Sequence, residues 1–227
     1  MKVKADVSSK LSSFMVIVFT ALMIQFVGSY HAGSFVIGNY FYALWFLLRI
    51  AVPLAVLLLL KVPLSHIGLG SPRFDRQTKH VVIFTVVVLV AAFVGIYFMR
   101  GYFNFYSNAF AGEGGGAPAR FGNFMIFTSS TLVGWEFLHR GFLLMGIRYV
   151  LAERDRIRPE TASIMAVAVV WIFEVVFHFI KPELEALGLL IGSPLLSWLA
   201  LRLRSIWVSF LIHFLVELLF ITALIMQ

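Results

Sequence analysis

The sequence predicts an all-α fold: a polytopic membrane bundle of about seven transmembrane helices, in one domain over residues 1–227. Hydrophobic residues make up 61% of the chain and charged residues 13%, and the mean hydropathy is +0.95. A soluble domain carries about 25% charged residues, so this chain has too few charges to cover a water-facing surface. Two further observations support the same fold: the apolar residues form long separate segments, and the basic residues are sorted between alternate loops.

Each apolar segment has about the length that a spanning helix needs, which is roughly 20 residues. The segments cover 12–29, 36–60, 80–99, 121–147, 161–180, 184–201 and 205–226. The basic start, MKVKADVSSK, is followed by a long apolar stretch without a small-residue cleavage site, so we interpret it as a retained first span. The chain has no cysteine, which excludes disulfides and thiolate ligands.

The distribution of Lys and Arg predicts the orientation, because cytoplasmic loops are enriched in these residues. With the N-terminus inside, three basic residues fall in outer regions: Arg100, Arg120 and Lys181. Thirteen fall in inner regions: Lys2, Lys4, Lys10, Lys61, Arg73, Arg76, Lys79, Arg148, Arg154, Arg156, Arg158, Arg202 and Arg204. The sequence therefore predicts an inner N-terminus, an outer C-terminus and an odd number of spans. The placement of the basic residues in the inner loops also explains the net charge of +7, so no nucleic-acid partner is predicted.

Ionisable residues inside the apolar segments are the candidate functional residues, because each costs at least about 2.5 kcal/mol near the bilayer centre. They are Arg49 in the second segment, Glu136, His139 and Arg140 in the fourth, Glu174 and His178 in the fifth, and His213 and Glu217 in the seventh. Three pairs are spaced i, i+4 and so share a helix face: Glu136 with Arg140, Glu174 with His178, and His213 with Glu217. This spacing predicts one shared polar interior.

A bland interpretation exists for each of these residues. Glu136 and Arg140 can be a buried pair that only fixes helix packing, and a membrane histidine can simply bridge two helices. Arg49, one turn before Pro53, fits a counter-ion or a snorkelling cation. The G-x-x-x-G of Gly188 and Gly192, prolonged by Ser193 and Ser197, predicts close helix packing.

The set also permits chemistry. A carboxylate and a histidine can together deprotonate a water molecule, and a second histidine can stabilise the oxyanion. Alternatively, His178 and His213 with a glutamate match the ligand set of a catalytic zinc site. The three candidate residues can form one site only if they lie at similar depths in the membrane. Counted from the inner ends of their helices, His213 lies 9 residues past Arg204, Glu136 lies 12 residues before Arg148, and His178 lies 18 residues past Glu160. If the helices start level, these depths differ by more than about 10 Å.

The run from Trp135 to Leu144, WEFLHRGFLL, resembles the first motif, E-E-x-x-x-R, of the CAAX-protease and bacteriocin-processing (CPBP/ABI) family of intramembrane proteases. Its second motif, F-x-x-x-H, aligns with Glu174 to His178, and its third, H-x-x-x-N, with His213 to Glu217. Ser205-Ile206-Trp207 is also similar to the family. The resemblance covers about residues 121–220, on helices in the expected order.

The resemblance implies an all-helical membrane fold and endoproteolysis of a peptide or membrane-protein substrate without a covalent intermediate, in a bacterial or archaeal inner (plasma) membrane. In the family the first Glu and the second-motif His activate water and the third-motif His stabilises the oxyanion, so the resemblance implies His178 and His213 as catalytic residues and Arg140 as the motif arginine. With Glu136 as the third candidate, we predict a catalytic set of Glu136, His178 and His213, supported by Arg140, Glu217, Glu174 and His139. The chain differs from the family at three positions: Trp135 replaces the first Glu, Glu174 the Phe and Glu217 the Asn. Glu136 then becomes the candidate base, and Glu174 or Glu217 can replace the missing acid.

Two rival functions remain at this point. The substituted motifs fit a catalytically degenerate membrane protein that binds or assembles with a partner. The acid–base faces also fit the ion path of an ion-coupled transporter, although no inverted repeat is visible. An enzyme requires Glu136, His178 and His213 around one water-accessible site, whereas a scaffold can leave them scattered or held in salt bridges.

Overall fold

The computed structural model describes residues 2–31, 47–98, 122, 131–178 and 183–225, and within these ranges it is all-helical, as predicted. The described residues form seven helical segments: α1 Lys2–His31, α2 Leu47–Ala51 continuing as Val52–Leu59, α3 Arg76–Phe98, α4 131–154, α5 Pro159–His178, α6 Glu183–Leu203 and α7 Trp207–Ile225. The predicted segment parts 36–46 and 123–130, and the Gly-rich loop 112–118, lie outside the described residues.

The helix ends differ from the predicted ones where polar residues continue a helix. α1 begins at Lys2, within the basic start, and α4 runs seven residues past the predicted 147, to Arg154. Glu, Lys and Arg are good helix formers, so a helix does not end where its apolar run ends. The boundaries were predicted from hydropathy alone, and hydropathy reports burial rather than backbone conformation.

Parts of α2 and α4 are wound as π-helix: Leu47–Ala51 in α2, and Phe137–Met145 and Val150–Arg154 in α4. In α2 this wider turn stands directly before Pro53. Proline removes one backbone donor and its ring crowds the preceding turn, and a wider turn gives that ring room. In α4 the first π-helical stretch carries His139 and Arg140, and such turns occur often at functional sites.

α4 is the central helix of the described fold. Every residue from Glu136 to Ile147 is buried, and the helix contacts α1, α2, α5 and α6. The apolar core around it includes Ile17 of α1 and Leu57 of α2. Burial on all sides gives the polar residues of α4 no route to bulk water except through neighbouring side chains.

α5 and α6 make the most extensive helix contact, along a face of small residues. Ser193, Ser197 and Ala200 of α6 are fully buried, whereas Gly188 is exposed. A methyl group on Gly188 or Gly192 would meet nothing within 4 Å among the described residues. The predicted close packing therefore occurs along the serines, and for the glycines the prediction is wrong within the described residues.

The outward faces of several helices carry large apolar side chains. Phe26 of α1 is 62% exposed, Phe84 of α3 63% and Ile164 of α5 70%. α5 is the one described helix that is long and apolar enough to cross a membrane by length and composition. Shorter apolar helical stretches lie at Ser12–Val27, Leu48–Leu59, Thr78–Val88, Gly188–Leu203 and Trp207–Leu218.

The α2–α3 loop is anchored to the turn between α6 and α7. The amide of Ile206 donates to Gly68 O at 2.9 Å, and Ser205 Oγ donates to Gly70 O at 2.8 Å. Gly68 has a φ of +77°, a left-handed conformation that glycine adopts without steric cost, and the end of the Met145 side chain fills the space beside its Cα. The loop is consequently fixed against the helix ends.

Candidate functional site

Arg140 is the centre of a buried ionic cluster between α4 and α5. Its guanidinium binds Glu174 through both nitrogens, Nη1 to Oε1 and Nη2 to Oε2, the latter at 2.9 Å. Nη1 also lies 3.3 Å from Glu136 Oε1. All three side chains are buried. The buried pair of Glu136 and Arg140 that the spacing allows is thus present, but the bidentate partner of Arg140 is Glu174 on the next helix.

Glu136 joins this cluster to α7. Its Oε1 accepts a hydrogen bond from His213 Nδ1 at 2.7 Å, while its buried Oε2 has no hydrogen-bond partner among the described residues. His213 is 19% exposed at its side chain, and its Nε2 lies 3.9 Å from Glu217 Oε1. A single water molecule can bridge such a separation. A series of three side chains therefore runs from the buried carboxylate of Glu136, through His213, to the partly exposed carboxylate of Glu217.

His139 has a structural environment. Its Nδ1 lies 2.9 Å from the carbonyl oxygen of Trp135 and must donate to it, and its Nε2 lies 3.0 Å from Gln25 Nε2 of α1. The Gln25 amide then donates to Nε2, so the ring is neutral and both of its nitrogens are used. His139 fastens α1 to α4. Gln25 was missed, although it is a single amide within the apolar segment 12–29.

Trp135 lies between His178 and Glu174, in contact with both. Its indole Nε1 donates to Glu174 Oε1 at 2.9 Å, and its ring meets His178 edge-on with centroids 5.1 Å apart. The Arg49 guanidinium lies 5.0 Å from the centre of the same ring, within cation–π range. His178 Nδ1 donates to the carbonyl oxygen of Glu174 at 2.7 Å, which leaves the lone pair of the neutral ring on Nε2.

The three acid–base faces thus meet as the spacing predicts, and α4, α5 and α7 share one polar interior. The side chains of this interior form a connected series, in the order Glu174, Arg140, Glu136, His213 and Glu217. His178 contacts this series only indirectly, through the Trp135 ring. The resemblance identified Trp135 only as the residue in place of the family's first Glu, and its membership of the polar interior was not predicted, because an indole brings no charge to pair.

The zinc alternative stays a prediction. Over the described ranges, no three His, Asp or Glu side chains are grouped in the manner of metal ligands. Nδ1 of His178 and Nδ1 of His213 both donate hydrogen bonds to oxygens, so each ring could offer only Nε2 to a metal.

Gly134 provides a test of the contact between Arg49 and Trp135. A Cβ at Gly134 would lie 3.0 Å from Cβ and 3.4 Å from Cδ of Arg49. Gly134→Ala should displace Arg49 from the indole and lower the free energy of unfolding by about 1–3 kcal/mol, measured by unfolding in mixed detergent micelles. The matched control is Gly192→Ala on α6, which has open space and should leave stability unchanged or raise it by about 0.5–1 kcal/mol. Equal effects from both substitutions would contradict the contact.

Comparison of the chain with models of protein families, with curated protein sequences and with solved structures finds no match. The geometry of the described residues therefore carries the functional argument.

Proposed function

We propose that the chain is a polytopic integral membrane protein with its N-terminus inside and its C-terminus outside. Two observations support this proposal. The outward apolar faces of α1, α3 and α5 suit lipid rather than water. The inner regions hold thirteen basic residues and the outer regions three, as expected of short loops around spanning helices.

Reporter fusions test this arrangement. A fusion at Gln227 should report an outer location, and a fusion within the 153–158 loop an inner one, because the proposed topology places three spans between these two sites. Activity of a cytoplasmic reporter at both sites would mean an even number of spans and would overturn the topology.

We propose further that the polar interior is the site of an intramembrane endopeptidase that hydrolyses peptide bonds with an activated water. The observation that carries this proposal is the dyad of His213 and Glu136: a partly exposed imidazole whose Nδ1 donates to a buried carboxylate. A carboxylate in this position fixes the tautomer and orientation of a catalytic histidine. This geometry favours His213 over Glu136 as the group that takes the proton.

In this mechanism His213 Nε2 removes a proton from water as the water oxygen attacks the carbonyl carbon of the substrate. The same nitrogen then returns the proton to the leaving amide nitrogen, which breaks the C–N bond. Glu136 holds Nδ1 and stabilises the charged ring. Its Oε2 is buried without a hydrogen-bond partner among the described residues, and it can accept a hydrogen bond from a buried water molecule.

An exchange of residue types supports the kinship with the family motifs. The family has an acid at the position of Trp135 and an aromatic residue at the position of Glu174, and this chain has the reverse. The two side chains are in contact, Nε1 to Oε1 at 2.9 Å. One acid and one aromatic ring therefore occupy the same α4–α5 interface, with the acid supplied from α5.

The second candidate is a catalytically degenerate protein of the same fold that binds or assembles with a partner. The observation that favours it is Arg140, which lies against both Glu136 and Glu174 and holds them as a structural ion cluster would. It predicts that the acids and histidines matter for stability alone.

Cleavage itself is the deciding experiment. The full chain is reconstituted in liposomes with a mixture of detergent-extracted membrane proteins, and new peptide N-termini are mapped by mass spectrometry. We expect N-termini that are missing from protein-free liposomes and from liposomes carrying Glu136→Gln. If wild type generates none, or if the variant generates the same set, the endopeptidase proposal fails.

A further inference from the structure

Four exposed cations gather where the α2–α3 loop meets the end of α6, and we call them the inner basic patch: Arg73, Lys79, Arg202 and Arg204. The amide of Arg73 donates to Leu203 O at 3.0 Å, so the backbones of Arg73 and Arg204 are neighbours. This contact brings two exposed cations from different segments to the same end of the fold.

The acid within this region is largely committed to other contacts. Asp75 caps the start of α3, accepting from the amide of Thr78 at 2.6 Å and from its hydroxyl at 2.5 Å. Its Oδ2 lies 3.2 Å from Arg202 Nη2. Four cations against one carboxylate leave the patch with a surplus of positive charge.

Arg204 has a left-handed backbone conformation at the end of α6. α6 ends with hydrogen bonds from Ser205 N to Ala200 O and from Arg204 N to Leu201 O, which place Arg204 at the left-handed position of a Schellman motif, with φ +52°. Glycine fills this position at no steric cost. Lys61 and Arg156 adopt the same conformation, with φ +55° and +58°, so the use of Arg204 here is practical: glycine can replace it without strain.

Exposed apolar side chains flank the patch. Phe74 is 51% exposed and Leu69 40%. Trp207 is 38% exposed, and its Nε1 donates to Leu69 O at 2.9 Å. Tryptophan with one polar and one apolar edge is typical of the membrane–water boundary, so the patch combines cations with groups that insert at headgroup depth.

We propose that the inner basic patch binds the phosphate headgroup of an anionic phospholipid, with Phe74 and Trp207 against its acyl chains. This rests on the membrane-spanning arrangement proposed above and is independent of proteolysis. Lys and Arg near a surface attract anionic lipid, and the anchored loop presents them already in place, so little ordering is needed on binding.

Lipid retention tests the proposal. The full chain is reconstituted in vesicles of equal parts phosphatidylglycerol and phosphatidylcholine and extracted in mild detergent, and the lipids that remain bound are quantified. Wild type should retain phosphatidylglycerol preferentially. Arg73→Gln combined with Arg204→Gly should lower that preference by about fivefold for each arginine removed, and glycine at 204 adds no strain.

The matched control is Arg156→Gln combined with Arg158→Gln, two exposed cations of the α4–α5 loop. They lie on the same predicted side, and the control removes the same charge. It should leave the preference within about twofold of wild type. If both variants lose the phosphatidylglycerol preference equally, net charge alone sets that preference, and the assignment to this patch is wrong. Symmetric vesicles make the result independent of orientation, so it stands or falls separately from the topology.

A second arm identifies the source of the phosphate. Wild type in phosphatidylcholine nanodiscs is heated with and without inorganic phosphate, and its melting temperature is compared with that in phosphatidylglycerol nanodiscs. Stabilisation by phosphatidylglycerol alone supports the lipid. Equal stabilisation by inorganic phosphate would mean a site for a free anion and would overturn the proposal.

Discussion

Arg140→Ala is expected to lower the stability of the protein by about 3–5 kcal/mol, because it leaves two buried carboxylates without their cation. Glu174 loses a bidentate partner and Glu136 loses a cation 3.3 Å from its Oε1. The two acids would also be left to repel each other across the cavity. Folded yield in detergent and unfolding in mixed micelles measure the effect, and we expect the yield to fall before any activity is assayed.

The control for this prediction is Arg202→Ala, which breaks an exposed pair of the same chemistry. Arg202 and Asp75 are 44% and 56% exposed at their side chains, and solvent-exposed pairs contribute about 0–1 kcal/mol. Arg140→Lys should recover only part of the loss, since an ammonium cannot bind the two oxygens of Glu174 in parallel. If Arg140→Ala unfolds like wild type, the cluster does not stabilise the fold.

The spacing of the polar residues predicted which faces meet, but not which atoms bind. An i, i+4 spacing places Glu136 beside Arg140 on one face of α4, and the structure keeps them 3.3 Å apart. The closer partner is Glu174, since an acid on a facing helix can approach the guanidinium end-on with both oxygens. Sequence separation within a helix reports neighbours along one surface, and helix packing decides the contact across it.

The depth count had similar limits. Counted from the inner ends, Glu136 and His213 differ by three residues, and these two are in direct contact. His178 was counted six residues deeper than Glu136, and in the structure it reaches the cluster through the Trp135 ring rather than through a hydrogen bond to Glu136. The count predicts a spread in depth of more than about 10 Å and no particular contact, and an intervening aromatic ring leaves no trace in a count of residues.

The all-helical architecture of the described residues followed from the long, separate apolar segments, and the membrane arrangement inferred from the low fraction of charged residues stays a prediction. Details of the polar interior did not follow, since they depend on single side chains that look apolar or neutral in the sequence. Trp135 and Gln25 are such residues: each completes the hydrogen bonding of an ionisable group that was identified, Glu174 and His139 respectively.

His213→Asn is expected to lower peptide-bond cleavage by about 10²–10⁴-fold, the usual contribution of a general base. Asparagine can still hydrogen-bond to Glu136 but cannot accept the proton of water, so the variant should purify folded. Glu136→Gln should lower cleavage to a similar extent for a different reason: a carboxamide no longer stabilises the charged imidazole, and it permits the wrong tautomer at Nδ1.

The combination of variants separates the dyad from two independent groups. If Glu136 acts only by orienting His213, the double variant Glu136→Gln/His213→Asn should be little worse than either single variant, since residues that act as a unit are not additive. His66→Asn is the matched control, an exposed histidine on the short turn Leu64–His66, and it should cleave at the wild-type rate. Rates are measured on the same mapped N-termini and normalised to folded protein.

If the rate loss of the double variant equals the product of the two single losses, Glu136 contacts the substrate or the water on its own, through Oε2. If both single variants cleave at the wild-type rate, the buried ion cluster only stabilises the structure. The fold would then serve to bind or assemble with a partner.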